Sequence, residues 1–112
     1  MQVLDNNVIS ELREMLEDEV DELFDELMQQ VPQELAAMSA CATARDLKSI
    51  EHKVHQIKGS SSNLGVMAFS EACRELEEGL RKGEISDPVP YIAGLNESFE
   101  QAVNEIKAMV KA

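Results

Sequence analysis

The sequence predicts an all-α protein, an antiparallel four-helix bundle with a short extra N-terminal helix, forming a single domain over residues 1–112. Three observations predict it. Apolar residues recur at spacings of three and four in five segments, the mark of helices with one buried face. No stretch shows the apolar–polar alternation of a half-buried strand. Leu, Met, Ala and Val dominate the apolar set, with three phenylalanines, one tyrosine and no tryptophan, a composition that favours helix. A chain of 112 residues, 44% hydrophobic and 29% charged, can bury one core without disulfides or metals to staple it.

The first segment is short: Val8, Ile9, Leu12, Met15 and Leu16, with Asp5 to Asn7 as capping candidates. The second runs from about Asp18 to Cys41 and turns Val20, Leu23, Phe24, Leu27, Val31, Leu35 and Met38 to one side. Pro32 lies inside it, lacks a backbone donor, and is expected to kink the helix or split it in two. The acidic run EDEVDELFDE occupies the opening turns, where negative charge suits the helix dipole. It reads as a solvated face, with docking of a basic partner as the alternative.

In the third segment Leu47, Ile50, Val54, Ile57, Ser61 and Leu64 form the core-facing stripe, with Thr43 and Asp46 as candidate caps. The fourth runs from about Ala68 to Arg81, with Phe69, Ala72, Cys73, Leu76 and Leu80 inward, and stops at Lys82-Gly83, a basic last turn before a capping glycine. After the proline-containing loop EISDPVP, the fifth turns Tyr91, Ile92, Leu95, Phe99, Val103, Ile106 and Val110 inward. Short loops between long helices favour antiparallel neighbours.

Charge restricts the partners. With 22 acidic and 10 basic residues the formal net charge is −12, which repels nucleic-acid phosphates and anionic membranes alike. Two cysteines, Cys41 and Cys73, are too few for a disulfide framework and read as reduced thiols. The opening MQVLDNNVISEL lacks the pattern of a secretory signal, and no apolar run approaches the roughly 18 residues that span a bilayer. A cytoplasmic protein is expected, and a monomer, since no apolar heptad is left over beyond the core.

Two histidines, His52 and His55, lie three apart on the third helix. They could share a metal only with a third and fourth ligand; Glu51 or Glu77 are candidates, but no recognisable ligand pattern accompanies them, and no metal site is expected. Nor does any GxSxG motif suggest a serine nucleophile.

His55 differs from His52 in its neighbours. In HQIKGSSSNLG its helical neighbours at +3 and +4 are Lys58 and Gly59. An imidazole is nucleophilic near neutral pH, an ammonium balances the charge of an acquired phosphoryl group, and a glycine lets another protein approach. An inert surface histidine and a glycine kept for helix packing describe the same residues, and spacing alone attaches no reaction to them.

The run His55-Gln56-Ile57-Lys58-Gly59-Ser60-Ser61-Ser62-Asn63-Leu64-Gly65 closely resembles the HxxKGSSxxLG signature of histidine-containing phosphotransfer (HPt) domains. FSEACRELEEGLRKG is similar to that family's following helix, and the acidic second helix with its VPQEL also follows the family pattern. His52 does not fit, because His55 and Gln56 stand at its +3 and +4 positions.

The resemblance implies a phosphorelay intermediate without kinase activity of its own. It would accept a phosphoryl group on His55 from an aspartyl phosphate of a hybrid sensor kinase's receiver domain and pass it to the receiver of a response regulator. Mg²⁺ is expected on the receiver, and no cofactor here. Lys58 is expected near the phosphoryl oxygens. Glu77 matches a family position, often Gln or Glu, that hydrogen-bonds the histidine ring; a solvated carboxylate is the plainer alternative. Docking is expected around His55, through Gln56 and Ser62, with Val8, Ile9, Leu12 and Met15 as candidates for an apolar patch, although capping of the bundle is the favoured reading of those four. A free-standing shuttle is expected. Two other classes stay open, an adaptor bundle without chemistry and a metal-binding bundle.

Overall fold

The computed structural model describes residues 1–111, arranged as five helices: α1 (Asn6–Leu16), α2 (Glu19–Thr43), α3 (Leu47–Asn63), α4 (Met67–Arg81) and α5 (Val89–Lys111). The last four form the bundle. α2 packs on α3, α3 on α4, α4 on α5 and α5 back on α2, while α1 lies against α2. The long axis measures 42 Å and the cross-section 22 × 19 Å.

Local chemistry sets each start. Asp5 caps α1 by accepting from the backbone N–H groups of Asn7 (3.0 Å) and Val8 (3.3 Å). Asp46 caps α3 by accepting from the Ser49 N–H at 3.1 Å. Thr43, the other cap candidate, instead belongs to the last turn of α2, where its hydroxyl donates back to the Ser39 carbonyl. α5 opens with Asp87 accepting from the Val89 N–H, and Pro90 falls in the first turn, where its missing donor has no intrahelical partner to lose.

Pro32 does not split α2, which runs through it from Glu19 to Thr43. Proline removes one rung of the ladder, but the buried face continues across it through Leu27, Val31, Leu35 and Met38 and holds both halves in the bundle.

Three helices end in the same way. At the end of α3 the Val66 N–H donates to the Ser61 carbonyl and the Gly65 N–H to the Ser62 carbonyl; α4 repeats the pattern with Glu84 to Gly79 and Gly83 to Leu80, and α2 with Asp46 to Cys41 and Arg45 to Ala42. The pivot residue is left-handed each time: Gly65 (φ +76°), Gly83 (φ +72°) and Arg45 (φ +59°). Gly65 is also crowded. The chain before α1 runs across it, with the Asp5 N–H donating to the Gly65 carbonyl (2.7 Å), the Met67 N–H to the Val3 carbonyl (2.9 Å), and Leu4 bridged to Val66. A Cβ at Gly65 would stand 3.2 Å from the Asp5 carbonyl oxygen.

The core gathers the expected stripes, including Phe24, Val54, Ile57, Leu76 and Ile106, with Phe69 and Phe99 rings tilted against each other at 4.9 Å. Leu4, Val66 and Ala102 join it unannounced by the periodicity. Tyr91 and Val110, expected inward, are exposed. The α5 stripe runs through Ile92, Leu95, Phe99, Ala102 and Ile106 to Met109, and each of the two exposed residues lies one position off it. In α1, Ile9 is only 4% exposed and Leu12 packs against the core, so both hold the helix down; Val8 is half-buried and Met15 is 72% exposed.

Gly65→Ala is expected to destabilise the protein by about 2 kcal/mol, from the left-handed backbone and the crowded Cβ together. Arg45→Gly, at the equivalent pivot, is expected to stabilise it by up to about 1 kcal/mol. Urea unfolding midpoints, at unchanged slope, read both signs.

Candidate functional site

The α3 stripe of Ile50, Val54, Ile57 and Ser61 is buried, which leaves His55, one residue past Val54, on the flank of the helix. Helical geometry then puts Lys58, Gly59 and Ser62 on the same face at +3, +4 and +7. Across the seam, α4 buries Phe69, Cys73 and Leu76 and brings up Glu77 immediately beside them. Glu77 is only 7% exposed, unusual for a carboxylate.

Both oxygens of that carboxylate are used. Oε2 lies 2.6 Å from His55 Nδ1, and Lys58 Nζ donates to Oε1 at 2.6 Å. The His55 side chain remains 65% exposed. Burial opposes ionisation of Glu77, but the hydrogen bonds from Lys58 and His55, with their charges, outweigh it and hold the carboxyl below its ordinary range. An ionised carboxylate can only accept, so Nδ1 carries a hydrogen, and in the neutral form of the ring the lone pair is left to Nε2 on the exposed side. The arrangement orients the imidazole and leaves its Nε2 edge exposed.

Gly59 completes the approach, since a Cβ there would meet nothing within 4 Å. Its space lies on the outside of α3, and helix packing does not fill it. Ser62 is exposed and its hydroxyl donates to the Gly59 carbonyl at 3.1 Å; Gln56 is exposed beside His55. His52 is exposed too, one turn earlier, but Glu77 pairs with His55 and not with it. Among the described residues no group of three or more His, Cys, Asp or Glu could hold a metal ion, and no helix is long and apolar enough to cross a membrane.

Two features of the site were outside the sequence reading. Lys58 is committed to Glu77, in addition to standing beside His55. Cys73, buried one turn before Glu77, has its thiol pushed up to about 12, chiefly by burial, with Lys58 lowering it and Glu77 raising it. The available signal was the charged Glu77 following directly on the apolar stripe of α4.

Ionised Glu77 binds α3 to α4 only while it stays charged. Its folded-state value is lowered, so its contribution is complete above the ordinary glutamate value of roughly 4.3 and is lost as pH falls through the lower folded value. The stability difference between the wild type and Glu77→Gln is therefore expected to shrink as the pH falls from about 5 toward roughly 3. Urea unfolding of both proteins over that range measures it.

Comparison with known proteins agrees with the geometry. Residues 11–110 match the family model described as Hpt domain. The crystal structure of histidine-containing phosphotransfer protein B (HptB) from Pseudomonas aeruginosa PAO1 is similar over 96% of this chain and 93% of that chain, with a TM-score of 0.89 and 31% sequence identity. No curated protein sequence matches.

Proposed function

The chain belongs to the Hpt domain family of histidine phosphotransfer proteins, which work in phosphorelays, and from that premise we propose that His55 receives and returns the phosphoryl group. The observation that carries this reading is the pairing of His55 Nδ1 with buried Glu77 while the ring stays exposed beside an open Gly59. The donor is the aspartyl phosphate of a hybrid sensor kinase's receiver domain, and the acceptor is the receiver aspartate of a response regulator.

The reaction asks for in-line positioning and charge stabilisation. The Nε2 lone pair attacks phosphorus, the N–P bond forms, and the P–O bond to the receiver aspartate breaks with its electron pair left on that carboxylate. Glu77 holds the ring in place through Nδ1. Lys58 has three N–H donors and spends one on Glu77, which leaves others for phosphoryl oxygens. The receiver supplies Mg²⁺. His55, Lys58 and Gly59 act at the reacting end, Gln56 and Ser62 at its edge, and Met15 with the half-buried Val8 offers the apolar contact of α1. The protein works as a cytoplasmic, monomeric carrier without kinase activity.

Incubation with a phosphorylated receiver is expected to label the wild type and His52→Gln and to leave His55→Gln unlabelled. Labelling that survives in His55→Gln and disappears in His52→Gln overturns the assignment. Gly59→Gln places a long side chain in the open space next to the ring and is expected to slow transfer at least about tenfold, roughly 1.4 kcal/mol of barrier, with unchanged helical circular dichroism. A normal rate removes the steric role.

A further inference from the structure

We propose that Glu77 keeps a proton on Nδ1 of phosphorylated His55, so that the ring departs as neutral imidazole when the phosphoryl group moves on and transfer runs both ways without exchanging a proton with solvent. The inference rests on His55 being the phosphorylated residue and goes beyond orientation of its ring.

Proton accounting carries it. The form of His55 able to attack is the neutral ring with its hydrogen on Nδ1, the nitrogen that lies 2.6 Å from Glu77 Oε2. Attack through Nε2 forms the N–P bond and turns the ring into a phosphoimidazolium that still holds the Nδ1 hydrogen. For return, a receiver aspartate oxygen attacks phosphorus, the N–P bond breaks, and its electron pair goes back to Nε2. If Nδ1 has kept its hydrogen, the departing ring is neutral imidazole. If that hydrogen has been lost to water, the ring must leave as imidazolate, a far poorer leaving group. Whatever holds the Nδ1 hydrogen therefore decides whether the phosphoryl group is ready to move or is stored.

The surroundings favour holding it. Glu77 is buried, its negative charge lies against Nδ1, and an opposite charge at that distance favours the cationic ring. Among the described residues, the charged groups that act on Glu77 are Lys58 and His55, both from α3. On its own helix, Cys73 is the titratable neighbour, and burial keeps its thiol neutral. Lys58 opposes a second positive charge on the ring, but it is already paired to Oε1, and the incoming phosphoryl group adds negative charge at Nε2. A glutamine of the same shape could orient the ring through its amide oxygen but would lack the charge that retains the proton. Glu77 is thus a positioning residue with a separate electrostatic effect.

Phosphoramidate labelling of the His52→Gln protein puts phosphate on His55 without any receiver, and ¹⁵N NMR then follows Nδ1 across roughly pH 5 to 9. Folded phosphoprotein is expected to keep Nδ1 protonated about one pH unit or more higher than the same phosphoprotein in urea. Adding Glu77→Gln is expected to abolish most of that difference, a roughly tenfold change in proton affinity. Equal titration of the folded and unfolded phosphoproteins overturns the proposal, and so does equal titration of the folded phosphoproteins with and without Glu77→Gln. If Glu77→Gln does not fold, the comparison of the folded with the unfolded His52→Gln phosphoprotein decides alone.

In transfer to a receiver, the ratio of wild-type to Glu77→Gln rates is expected to grow about tenfold between roughly pH 6.5 and 8.5. A purely structural role lowers the rate by the same factor at every pH, and that result also overturns the proposal. Failure of any receiver to label His55 in the wild type, with the raised Nδ1 titration intact, counts against the functional reading and leaves the proton-holding role standing.

Discussion

A carboxylate buried at the seam between α3 and α4 is the constraint on which the rest depends. A charge taken out of water is costly unless it is paired, and Glu77 is paired at both oxygens, with His55 and with Lys58. Both partners come from one helix and the acceptor from the other, so the pairing is satisfied only when α3 and α4 sit in one relative register. A one-residue shift in the register of α4 would turn Glu77 by about 100° around the helix axis and take its carboxylate away from both partners. One of the two hydrogen bonds that satisfy the buried charge also fixes the imidazole, so the packing that is stable is the packing that orients the ring.

The scaffold around that seam is correspondingly tight. The turn between α3 and α4 is closed by the two hydrogen bonds around left-handed Gly65, and the chain before α1 crosses the turn through Leu4, Asp5 and Val66. Ile9 and Leu12 then hold α1 against the bundle. The N-terminal region therefore reaches past the role of a lid over the core. It braces the turn that sets how α4 presents Glu77.

Much of this was legible in the sequence, and for definable reasons. Five helices, the inward stripes of α2, α3 and α4 and the caps at Asp5, Asp46 and Gly83 follow from local rules that depend on residues three or four apart. What escaped depends on contacts distant in sequence. Pro32 signals a break locally, but neighbours on both sides of α2 hold it continuous. Tyr91 and Val110 fit an apolar spacing, and only the true axis of the α5 stripe shows them outside it. Ile9 looked available as a docking residue because nothing in α1 alone reveals which side faces the bundle. In the site, helical spacing singled out His55, Lys58 and Gly59, and the HPt resemblance attached a reaction to them and gave Glu77 its place beside the ring. The joint grip of Glu77 on two residues about twenty positions away could come only from the fold.

The weak helix formers of HQIKGSSSNLG divide according to what surrounds them. Gly59 faces open space on the histidine side, where a side chain would obstruct an approaching protein. Ser62 lies on that same exposed face and turns its hydroxyl back to the Gly59 carbonyl. Ser60 borders the groove between α2 and α3 with Leu23 and Leu27, and Ser61 is wholly buried. Small size suits Ser61 at this crowded point, but its hydroxyl has no hydrogen-bond partner, and nothing in the structure explains the hydroxyl itself. Gly59 in place of alanine gives up roughly 1 kcal/mol of helix propensity. A helix with no partner to admit would gain by filling that open position. The helix stays open at the one turn that carries His55, and the Glu77 pairing behind that turn keeps the ring fixed while the surface in front of it is bare.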